Sequence, residues 1–405
     1  MVLRDQGNHF VAAGLGWTGR GPAVTAEPGA GFYVVCLPVL DFVRLGFAER
    51  GGRLDLLEPR DVADIAAGRA ALMLDLSNEG PGFQAHVFDA LHRNLEGLGI
   101  ARDRVVLVSQ NRVLRRDYER AYGPGLRFWT FDFFPLHVAL WLDAEAGPRL
   151  FPTAPLDRTD YAPLRAEGAR RFLCQNAALR WHRVLLYRWF QRTGLDREGL
   201  ISFHGIGADN PKAGGLDVFH APPEIAAPFA DLLADVGDWI PRQARRLDTA
   251  GATGDLVLTL DRAAYAASDL TVISETDFFE TGVERITEKS IKAAAMGLPF
   301  VMAGAPRAVA LLSELGFHTF GGLIDHGYDT VEDPAQRLPQ VFAAIEAAWR
   351  ACRSEDGAWR RFALEPALAN LAHARGGLVR QLDRTVVAPF ADRLIRFAQT
   401  GVLAP

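Results

Sequence analysis

Acidic, hydroxyl and basic side chains are grouped in one short stretch of the C-terminal half. Residues 270–273 have the apolar pattern of a buried strand, and Glu275 lies just beyond it, at the strand end where open α/β sheets bind ligands. Thr287 is a suitable N-cap, which places Glu288 and Lys289 in the first turn of a helix. Free backbone N–H groups and the helix dipole favour an anion there. The pair predicts a lysine that binds a diphosphate and a glutamate that accepts ribose hydroxyls. A Glu288 that only complements the dipole, beside a solvated Lys289, stays an open alternative.

A basic cluster follows an earlier predicted strand of the same half. Residues 172–174 form that strand, and Asn176 is predicted to begin a helix. On this helix Arg180 and Arg183 lie three residues apart on one face, with His182 next to that face. Two guanidinium groups near a helix start could clamp a phosphate through paired hydrogen bonds. A basic outer face opposite an apolar core stripe is the structural alternative.

The N-terminal half offers candidate catalytic carboxylates. Asp75 and Glu79 follow an apolar run and precede a Gly-Pro-Gly turn, so at least one carboxylate is expected at the carboxyl end of a strand. A carboxylate there could act as the general base that deprotonates an acceptor hydroxyl. The alternative is an aspartate that caps the next helix or turn.

Composition and charge exclude several classes of protein. The 405 residues, 49% hydrophobic and 23% charged, are typical of a globular chain of two or three domains. A net charge of −5 argues against nucleic acid as the main partner, although a locally basic cleft would leave a nucleic-acid acceptor open. Neither a signal peptide nor a membrane span is indicated, because no apolar segment of the required kind is present.

The cysteine and histidine spacing supports no metal site. Cys36, Cys174 and Cys352 are odd in number and far apart, so they form neither a disulfide framework nor a zinc motif. The histidines show no H-x-x-x-H or H-E-x-x-H spacing. We therefore expect a cytoplasmic protein without a bound metal.

The order of apolar and amphipathic segments predicts an α/β fold. Short β-rich runs alternate with helical stretches in both halves, a pattern typical of parallel sheets covered on both faces. A proline-rich polar segment separates the halves. The predicted parts are an irregular lead-in (1–25), two Rossmann-like domains (26–148 and 169–345) joined by a linker (149–168), and a helical C-terminal tail (346–405).

The motifs of the C-terminal half resemble those of the α-1,3-fucosyltransferase family. That family carries N-x(several)-R, F-E-N, Y-I-T-E-K and P-V-x-x-G in this order. The matching segments are Asn176 with Arg180 and Arg183, then 274–276 (S-E-T), 286–289 (I-T-E-K) and 299–304. Fucose itself is not implied, because S-E-T replaces F-E-N and the separation between Glu275 and Glu288 is longer here.

The chain is also similar to a group of bacterial and viral proteins assigned as glycosyltransferases. These proteins carry F-x-x-x-N-x-x-x-R-x-H-R and, downstream, G-F-x-T-F followed by D-x-x-Y-D. Here the first motif is 172–183, the second is 316–320, and the third is formed by Asp325, Tyr328 and Asp329.

Together these resemblances imply an inverting, metal-independent glycosyltransferase of the GT-B type, with two Rossmann-like lobes. The donor would be a nucleotide-sugar, for which a GDP-linked sugar is one candidate, bound by the domain of 169–345. Its expected binding residues are Asn176, Arg180, His182, Arg183, Glu275, Thr287, Glu288 and Lys289. Asp75 or Glu79 of the domain of 26–148 would deprotonate the hydroxyl of a glycan or another acceptor. A nucleotide-sugar epimerase on the same fold and a non-catalytic nucleotide-sugar-binding protein are the alternatives.

Overall fold

The computed structural model describes residues 1–3, 10–20, 31–37, 52–78, 80–151, 171–176, 178–203, 221–240, 258–280, 282–354 and 357–403. The chain divides into two compact units, each built on one parallel sheet. Unit 1 comprises Met1–His137, Gly282–Arg285 and Val379–Pro405, and unit 2 comprises Val138–Thr281 and Ile286–Leu378. None of the described helices is long and apolar enough to cross a bilayer.

The secondary structure of the described residues alternates between strands and helices. The strands are β1 (Val2–Leu3), β2 (Gly31–Cys36), β3 (Ala70–Leu76), β4 (Val105–Ser109), β5 (Arg127–Thr130), β6 (Phe172–Cys174), β7 (Gly199–Ile201), β8 (Leu270–Ser274) and β9 (Phe300–Ala303). The α-helices are α1 (Phe10–Trp17), α2 (Pro59–Ala66), α3 (Ala85–Gly97), α4 (Leu114–Tyr122), α5 (Phe133–Leu142), α6 (Ala146–Leu150), α7 (Trp181–Thr193), α8 (Pro223–Ala226), α9 (Ala230–Leu233), α10 (Val236–Trp239), α11 (Arg262–Ala266), α12 (Glu288–Ala295), α13 (Ala308–Glu314), α14 (Pro334–Cys352), α15 (Ala358–Ala372), α16 (Leu378–Leu382) and α17 (Ala388–Thr400). Short 3₁₀ turns lie at Gly52–Leu56, Arg102–Arg104, Leu195–Arg197 and Gly327–Thr330, and π-type turns at His373–Gly377 and Asp383–Val387.

Unit 1 is built on a parallel sheet with the strand order β1-β2-β3-β4-β5. The central strand β3 is buried along its whole length, which explains its continuous apolar sequence. Its leucines pack in one core with apolar residues of α2, α3 and α4. The C-terminal helix α17 also packs in this unit, because the Phe390 ring contacts those of Trp129 and Phe131 at centroid distances of 5.3 and 5.1 Å.

Unit 2 is built on a parallel sheet with the strand order β7-β6-β8-β9. The chain passes from β6 to β7 on one side and then returns to place β8 on the other side of β6. The point where the strand order reverses therefore lies between β6 and β8. In open α/β sheets the crevice outside the carboxyl ends of the strands at such a switch point is where ligands bind.

The predicted α/β class, with two Rossmann-like units and a helical C-terminal region, is confirmed. The N-terminal residues differ from the predicted irregular lead-in, because they include β1 and α1. The small residues of this segment serve packing: a Cβ on Gly14 would lie 2.8 Å from the Phe131 ring, so glycine allows α1 to approach that ring closely.

Domain limits remain predictions, since most of the predicted linker 149–168 lies outside the described residues. The region predicted as a tail is divided, with Val379–Pro405 belonging to unit 1.

Candidate functional site

The carboxyl edge of the unit 2 sheet brings several predicted residues together. Asn176 follows β6 and Glu275 follows β8, so the two residues flank the switch point. Each is only 2% exposed. The start of α12 lies at the same edge, because the Thr287 hydroxyl is 2.6 Å from Glu275 Oε2.

The Glu275 carboxylate fixes the start of α12. Oε1 accepts hydrogen bonds from the Thr287 backbone N–H (3.1 Å) and from the Ser290 hydroxyl. Oε2 accepts from the Thr287 hydroxyl (2.6 Å) and from the Thr276 backbone N–H (3.1 Å). A carboxylate offers about four lone-pair sites, and these four donors match them. Glu275 therefore organises the helix start in this arrangement, and its contact with a donor sugar stays a prediction.

The helix of the T-E-K motif is confirmed. Helix α12 begins at Glu288, with Thr287 at the N-cap position in an extended conformation. Gly297, just past the helix end, has the left-handed φ of 68° expected of a C-terminal glycine. The Thr287 side chain does not cap its own helix; its hydroxyl donates to Glu275 Oε2 and accepts from Lys289 Nζ.

Lys289 lies in the first turn of α12 and reaches solvent. Its Nζ is 2.8 Å from Glu288 Oε1 and 3.3 Å from Thr287 Oγ1. The lysine side chain is 27% exposed, whereas that of Glu288 is 13% exposed. A half-buried ammonium thus stands beside the N-terminal amide groups of a helix, the arrangement predicted to suit an anion.

Glu288 is ionised at all ordinary pH values. Burial of this side chain opposes ionisation, but the positive charges of Lys289 and Lys292 and the hydrogen bond from Lys289 outweigh burial and lower the pKa of Glu288 to about 2. The first turn of α12 therefore carries an anion and a cation that neutralise each other.

The two arginines predicted to share a helix face lie in different environments. Helix α7 begins at Trp181 rather than at Asn176, and Arg180 is its exposed N-cap residue. The predicted start was wrong, because the Asn176 N–H donates to Ser202 Oγ at 2.9 Å and the described residues between β6 and Trp181 are not helical. Arg180 is exposed whereas Arg183 is 2% exposed, and a joint phosphate clamp by the two arginines stays a prediction.

Arg183 uses its guanidinium within the protein. It is 2% exposed, and it donates to Ser274 Oγ (3.1 Å), to the Ser274 carbonyl (3.0 Å) and to the Glu275 carbonyl (2.8 Å). A further bond reaches the Ala178 carbonyl at 2.8 Å. Burial, together with the positive charge of Arg180, lowers the pKa of Arg183 to about 10. Arg183 thus ties α7 to the end of β8, and its contact with a phosphate stays a prediction.

His182 binds the Glu275 backbone carbonyl, which Arg183 also binds. Its Nε2 donates to the Glu275 carbonyl at 2.9 Å, and its ring stacks on Phe278 with centroids 5.4 Å apart. Burial, followed by the charge of Arg183, lowers the pKa of His182 well below its ordinary value. The imidazole is therefore neutral near pH 7 and positions Glu275 through the main chain.

Asn176 presents a polar atom without a protein partner. Its Nδ2 donates to Cys174 Sγ at 3.2 Å, whereas the buried Oδ1 accepts no hydrogen bond from any part of the chain that the structure describes. An unpaired buried acceptor costs about 1–3 kcal/mol. A donor group on a ligand at the switch point would remove that cost.

The candidate catalytic carboxylates belong to unit 1. Asp75, at 0% exposure, accepts hydrogen bonds at Oδ1 from the Ser77 backbone N–H (3.0 Å) and hydroxyl (2.6 Å). Its Oδ2 accepts from the Val11 N–H in the first turn of α1 at 2.9 Å. Asp75 thus has the capping role that was the alternative to a general base. Glu79 lies outside the described residues, so its role stays a prediction.

Sequence reasoning missed Ser290 and Arg337. The Ser290 hydroxyl donates to Glu275, and the available signal was its position three residues after Thr287, which places both hydroxyls on one side of the first turn. Arg337 is 2% exposed, donates to the Phe278 carbonyl and lies 4.5 Å from the Phe278 ring. No local pattern marks the contact of Arg337 with Phe278, because the two residues lie 59 positions apart in the chain.

The downstream motif supports the neighbouring strand and helix. The Tyr328 hydroxyl accepts from the Met302 N–H of β9 at 2.9 Å. The Asp329 carboxylate accepts from the Val309 and Ala310 N–H groups of α13 at 2.9 and 3.0 Å. These residues of the resemblance therefore have structural contacts in unit 2.

Across the described ranges, no group of three or more His, Cys, Asp or Glu side chains is arranged to hold a metal ion. The described cations near Glu288 include Lys289, Lys292 and Arg183, and a metal-independent reaction stays a prediction.

Comparisons with known proteins gave matches among solved structures only. No protein-family model matches the chain, and no curated protein sequence matches it significantly. The chain is similar to an α,α-trehalose 6-phosphate synthase from Burkholderia multivorans, with 13% identity, coverage of 89% of this chain and 70% of that chain, and a TM-score of 0.39. It is also similar to a UDP-forming α,α-trehalose-phosphate synthase from Burkholderia vietnamiensis, with 14% identity, coverage of 86% of this chain and 76% of that chain, and a TM-score of 0.37. A third similar structure is a UDP-forming α,α-trehalose-phosphate synthase from Burkholderia xenovorans in complex with glucose-6-phosphate, with 17% identity, coverage of 91% of this chain and 74% of that chain, and a TM-score of 0.37. The functional conclusion depends on the geometry of the site itself.

Proposed function

We propose that the chain is a glycosyltransferase that moves a sugar from a nucleotide-sugar donor to an acceptor hydroxyl, in an inverting and metal-independent reaction. The donor diphosphate would bind at the start of α12, beside Lys289. The observation that carries the proposal is the unit 2 switch point, where this half-buried lysine, a helix N-terminus and the unpartnered Asn176 Oδ1 occur at one sheet edge.

The ion pair between Lys289 and Glu288 supports an exchange of partners on donor binding. In the free protein, Nζ is held 2.8 Å from Glu288 Oε1. A diphosphate carries more negative charge than one carboxylate, so it would compete for the ammonium. Glu288 would then have carboxylate oxygens free to accept hydrogen bonds from the ribose hydroxyls.

In the proposed reaction, the main electrostatic requirement is to stabilise the leaving diphosphate. The acceptor oxygen forms a bond to the anomeric carbon while the bond from that carbon to the diphosphate oxygen breaks and the diphosphate leaves with the electron pair. Negative charge grows on the diphosphate, and donors already fixed in place stabilise it most effectively. Glu275 supplies this rigidity, because three of its four hydrogen bonds hold the N-cap and first turn of α12.

The acceptor hydroxyl must lose its proton to a base. Asp75 and Glu79 are the candidates within unit 1, and a carboxylate is a suitable base only if a lone pair is accessible to the acceptor. The oxygens of Asp75 already accept from Ser77 and Val11, so Glu79 is the better candidate of the two.

A non-catalytic nucleotide-sugar-binding protein is the second candidate. The observation that favours it is the engagement of Asp75, which leaves the described part of unit 1 with a capping aspartate where a base was expected. Such a protein would bind the nucleotide-sugar through Lys289 but would release no nucleotide in the presence of acceptors.

The test is calorimetric titration of Lys289→Met with UDP, GDP and their sugar conjugates. Loss of a charge-assisted hydrogen bond to phosphate costs about 1.5–3 kcal/mol, so affinity should fall by about 10- to 100-fold. Arg350→Met is the matched control, because Arg350 is an exposed cation of the same unit paired with Glu346 on the surface of α14. Unchanged nucleotide affinity in a folded Lys289→Met variant contradicts the proposal, and Lys289→Arg should restore part of the binding.

A further inference from the structure

The carboxyl edge of the unit 1 sheet contains a buried carboxamide without hydrogen-bond partners. Gln110 directly follows β4 and is 1% exposed. Within the described ranges, neither its Oε1 nor its Nε2 has a hydrogen-bonding partner. Asn78, in the turn after β3, likewise has a buried Oδ1 that no described residue satisfies. The two turns are in contact, because Asn111 Nδ2 donates to the Pro81 carbonyl at 3.0 Å.

The neighbouring Asn111 side chain, in contrast, is fully hydrogen-bonded. Asn111, next to Gln110, donates from Nδ2 to the Pro81 and Gly282 carbonyls at 3.0 and 2.8 Å. Its Oδ1 accepts from the Val113 and Glu284 N–H groups at 3.2 and 3.0 Å. Adjacent carboxamides of the same sheet edge therefore differ sharply: one has all its bonds and the other has none.

Burying a carboxamide without hydrogen-bond partners costs free energy, so its presence requires a physical explanation. Buried polar side chains in native proteins nearly always have a partner, and the exceptions are concentrated where a ligand, ion or ordered water completes the bonding. Replacing such a group by an apolar one of the same shape is close to neutral or stabilising. An apolar residue would serve a dry site at position 110 at least as well, which points to a bound group that completes the bonding of the amide.

We propose that Gln110, with Asn78, binds the hydroxyl groups of a neutral carbohydrate at the unit 1 sheet edge. A carboxamide offers a donor and an acceptor side by side, which matches two adjacent ring hydroxyls, each able to donate and accept. The unpaired Asn78 Oδ1 adds a second acceptor for a hydroxyl proton. The nearby Arg112 Nη2 pairs with Asp132 Oδ2 at 3.3 Å, and hydroxyl recognition by carboxamides requires no charge on the ligand. This inference rests on the proposed function, in which the carbohydrate is the acceptor.

The experiment compares Gln110→Met with Asn111→Leu. Methionine keeps the length of glutamine without its polar atoms, and leucine does the same for asparagine. Thermal unfolding is measured for each variant, and saturation-transfer NMR titrations use methyl α-glucopyranoside, methyl α-mannopyranoside and methyl α-galactopyranoside as probes. UDP and GDP titrations are run in parallel as the donor-site readout.

We expect Gln110→Met to unfold at the wild-type temperature or above it and to bind its best pyranoside about 10-fold more weakly, the loss expected for about one or two hydrogen bonds. Asn111→Leu should unfold at a clearly lower temperature, because its four bonds are structural. Nucleotide affinity should be the same in Gln110→Met and the wild type. Pyranoside affinity unchanged by Gln110→Met, or no saturable pyranoside binding by the wild type at tens of millimolar, overturns the inference.

A lower unfolding temperature for Gln110→Met also overturns it, because that result shows an amide satisfied by buried water in the free protein. Failure of the proposed donor site can be distinguished from failure of the sugar site. If Lys289→Met binds nucleotide normally while Gln110→Met loses the pyranoside, the sugar site stands and the proposed donor site does not.

Discussion

Substituting Glu275 by glutamine tests the role assigned to this carboxylate. The change keeps the shape of the side chain but replaces one acceptor oxygen by an NH₂ group. If Nε2 takes the place of Oε2, it faces the Thr276 N–H, and if it takes the place of Oε1, it faces the Thr287 N–H. The hydroxyls of Thr287 and Ser290 can rotate, whereas the backbone N–H groups cannot. Either orientation therefore leaves one backbone N–H without its acceptor, the half-buried one of Thr276 or the buried one of Thr287.

The magnitude follows from these bonds. A buried donor without a partner costs about 1–3 kcal/mol, and loss of the carboxylate charge weakens the remaining bonds by about 1 kcal/mol more. We expect the first turn of α12 to open more easily by about 2–4 kcal/mol. This corresponds to amide hydrogen exchange about 30- to 700-fold faster in peptides covering residues 286–292, since 1.4 kcal/mol is a factor of ten.

Hydrogen-exchange mass spectrometry measures this directly, because it reports on the local segment rather than on global unfolding. The matched control is Glu346→Gln, which makes the same chemical change at an exposed carboxylate paired with Arg350. An exposed pair of this kind contributes about 0.3–0.5 kcal/mol, so exchange in α12 should not change. Wild-type exchange of α12 in Glu275→Gln would refute the assignment of Glu275 as the group that fixes the helix start.

Two further predictions concern the same edge. Glu288 has a folded-state pKa of about 2 against an ordinary value of 4.5, so its ionised form stabilises the protein by about 3 kcal/mol above about pH 5, and this contribution decreases as the pH falls toward 2. The difference in denaturant unfolding between wild type and Glu288→Gln should therefore be largest near pH 7 and less than half as large at pH 3, and a pH-independent difference contradicts the ion-pair account. Gly304→Ala should destabilise the protein by about 1–2 kcal/mol in chemical denaturation, because the new Cβ would lie 3.1 Å from Ala308 Cβ and 3.3 Å from Glu275 Cβ. Wild-type stability for Gly304→Ala would show that this edge has more space than the contacts indicate.

The sequence was sufficient to place Glu275 and the first turn of α12. A run of buried apolar residues followed by a polar one indicates the end of a parallel strand, and Thr-Glu-Lys before an apolar helical pattern indicates a helix start. Both signals are local, so each could be read without knowing which strands pair. The order β7-β6-β8-β9, which creates the switch point, depends on pairing between distant segments and could not be read from any window of the sequence.

The sequence was insufficient wherever a long-range hydrogen bond decided the local conformation. The stretch after β6 has a helical pattern from Asn176 onward, but its backbone bonds to Ser202 and the helix begins only at Trp181. Asp75 is a carboxylate near the end of a strand, which is a position suited to a general base. The helix start that it caps, at Val11, lies 64 positions earlier in the chain. Whether a carboxylate already has all its hydrogen bonds depends on the residues around it in the fold. The spacing of residues in the sequence does not reveal those neighbours.

Lys289 and Arg183 show that residue type and position in the sequence do not reveal which of two cations is available to a ligand. Both lie close to Glu275 and Glu288, and both carry a positive charge. Arg183 is 2% exposed and donates to three backbone carbonyls and one hydroxyl, so contact with a phosphate would require it to leave groups that would then be buried and unpaired. Lys289 is 27% exposed and its ionic partner is an adjacent side chain, which can turn away without exposing any backbone group. The proposed diphosphate could therefore engage Lys289 without unpairing a buried backbone group, whereas Arg183 would act only by holding the main chain of Ser274 and Glu275 in place.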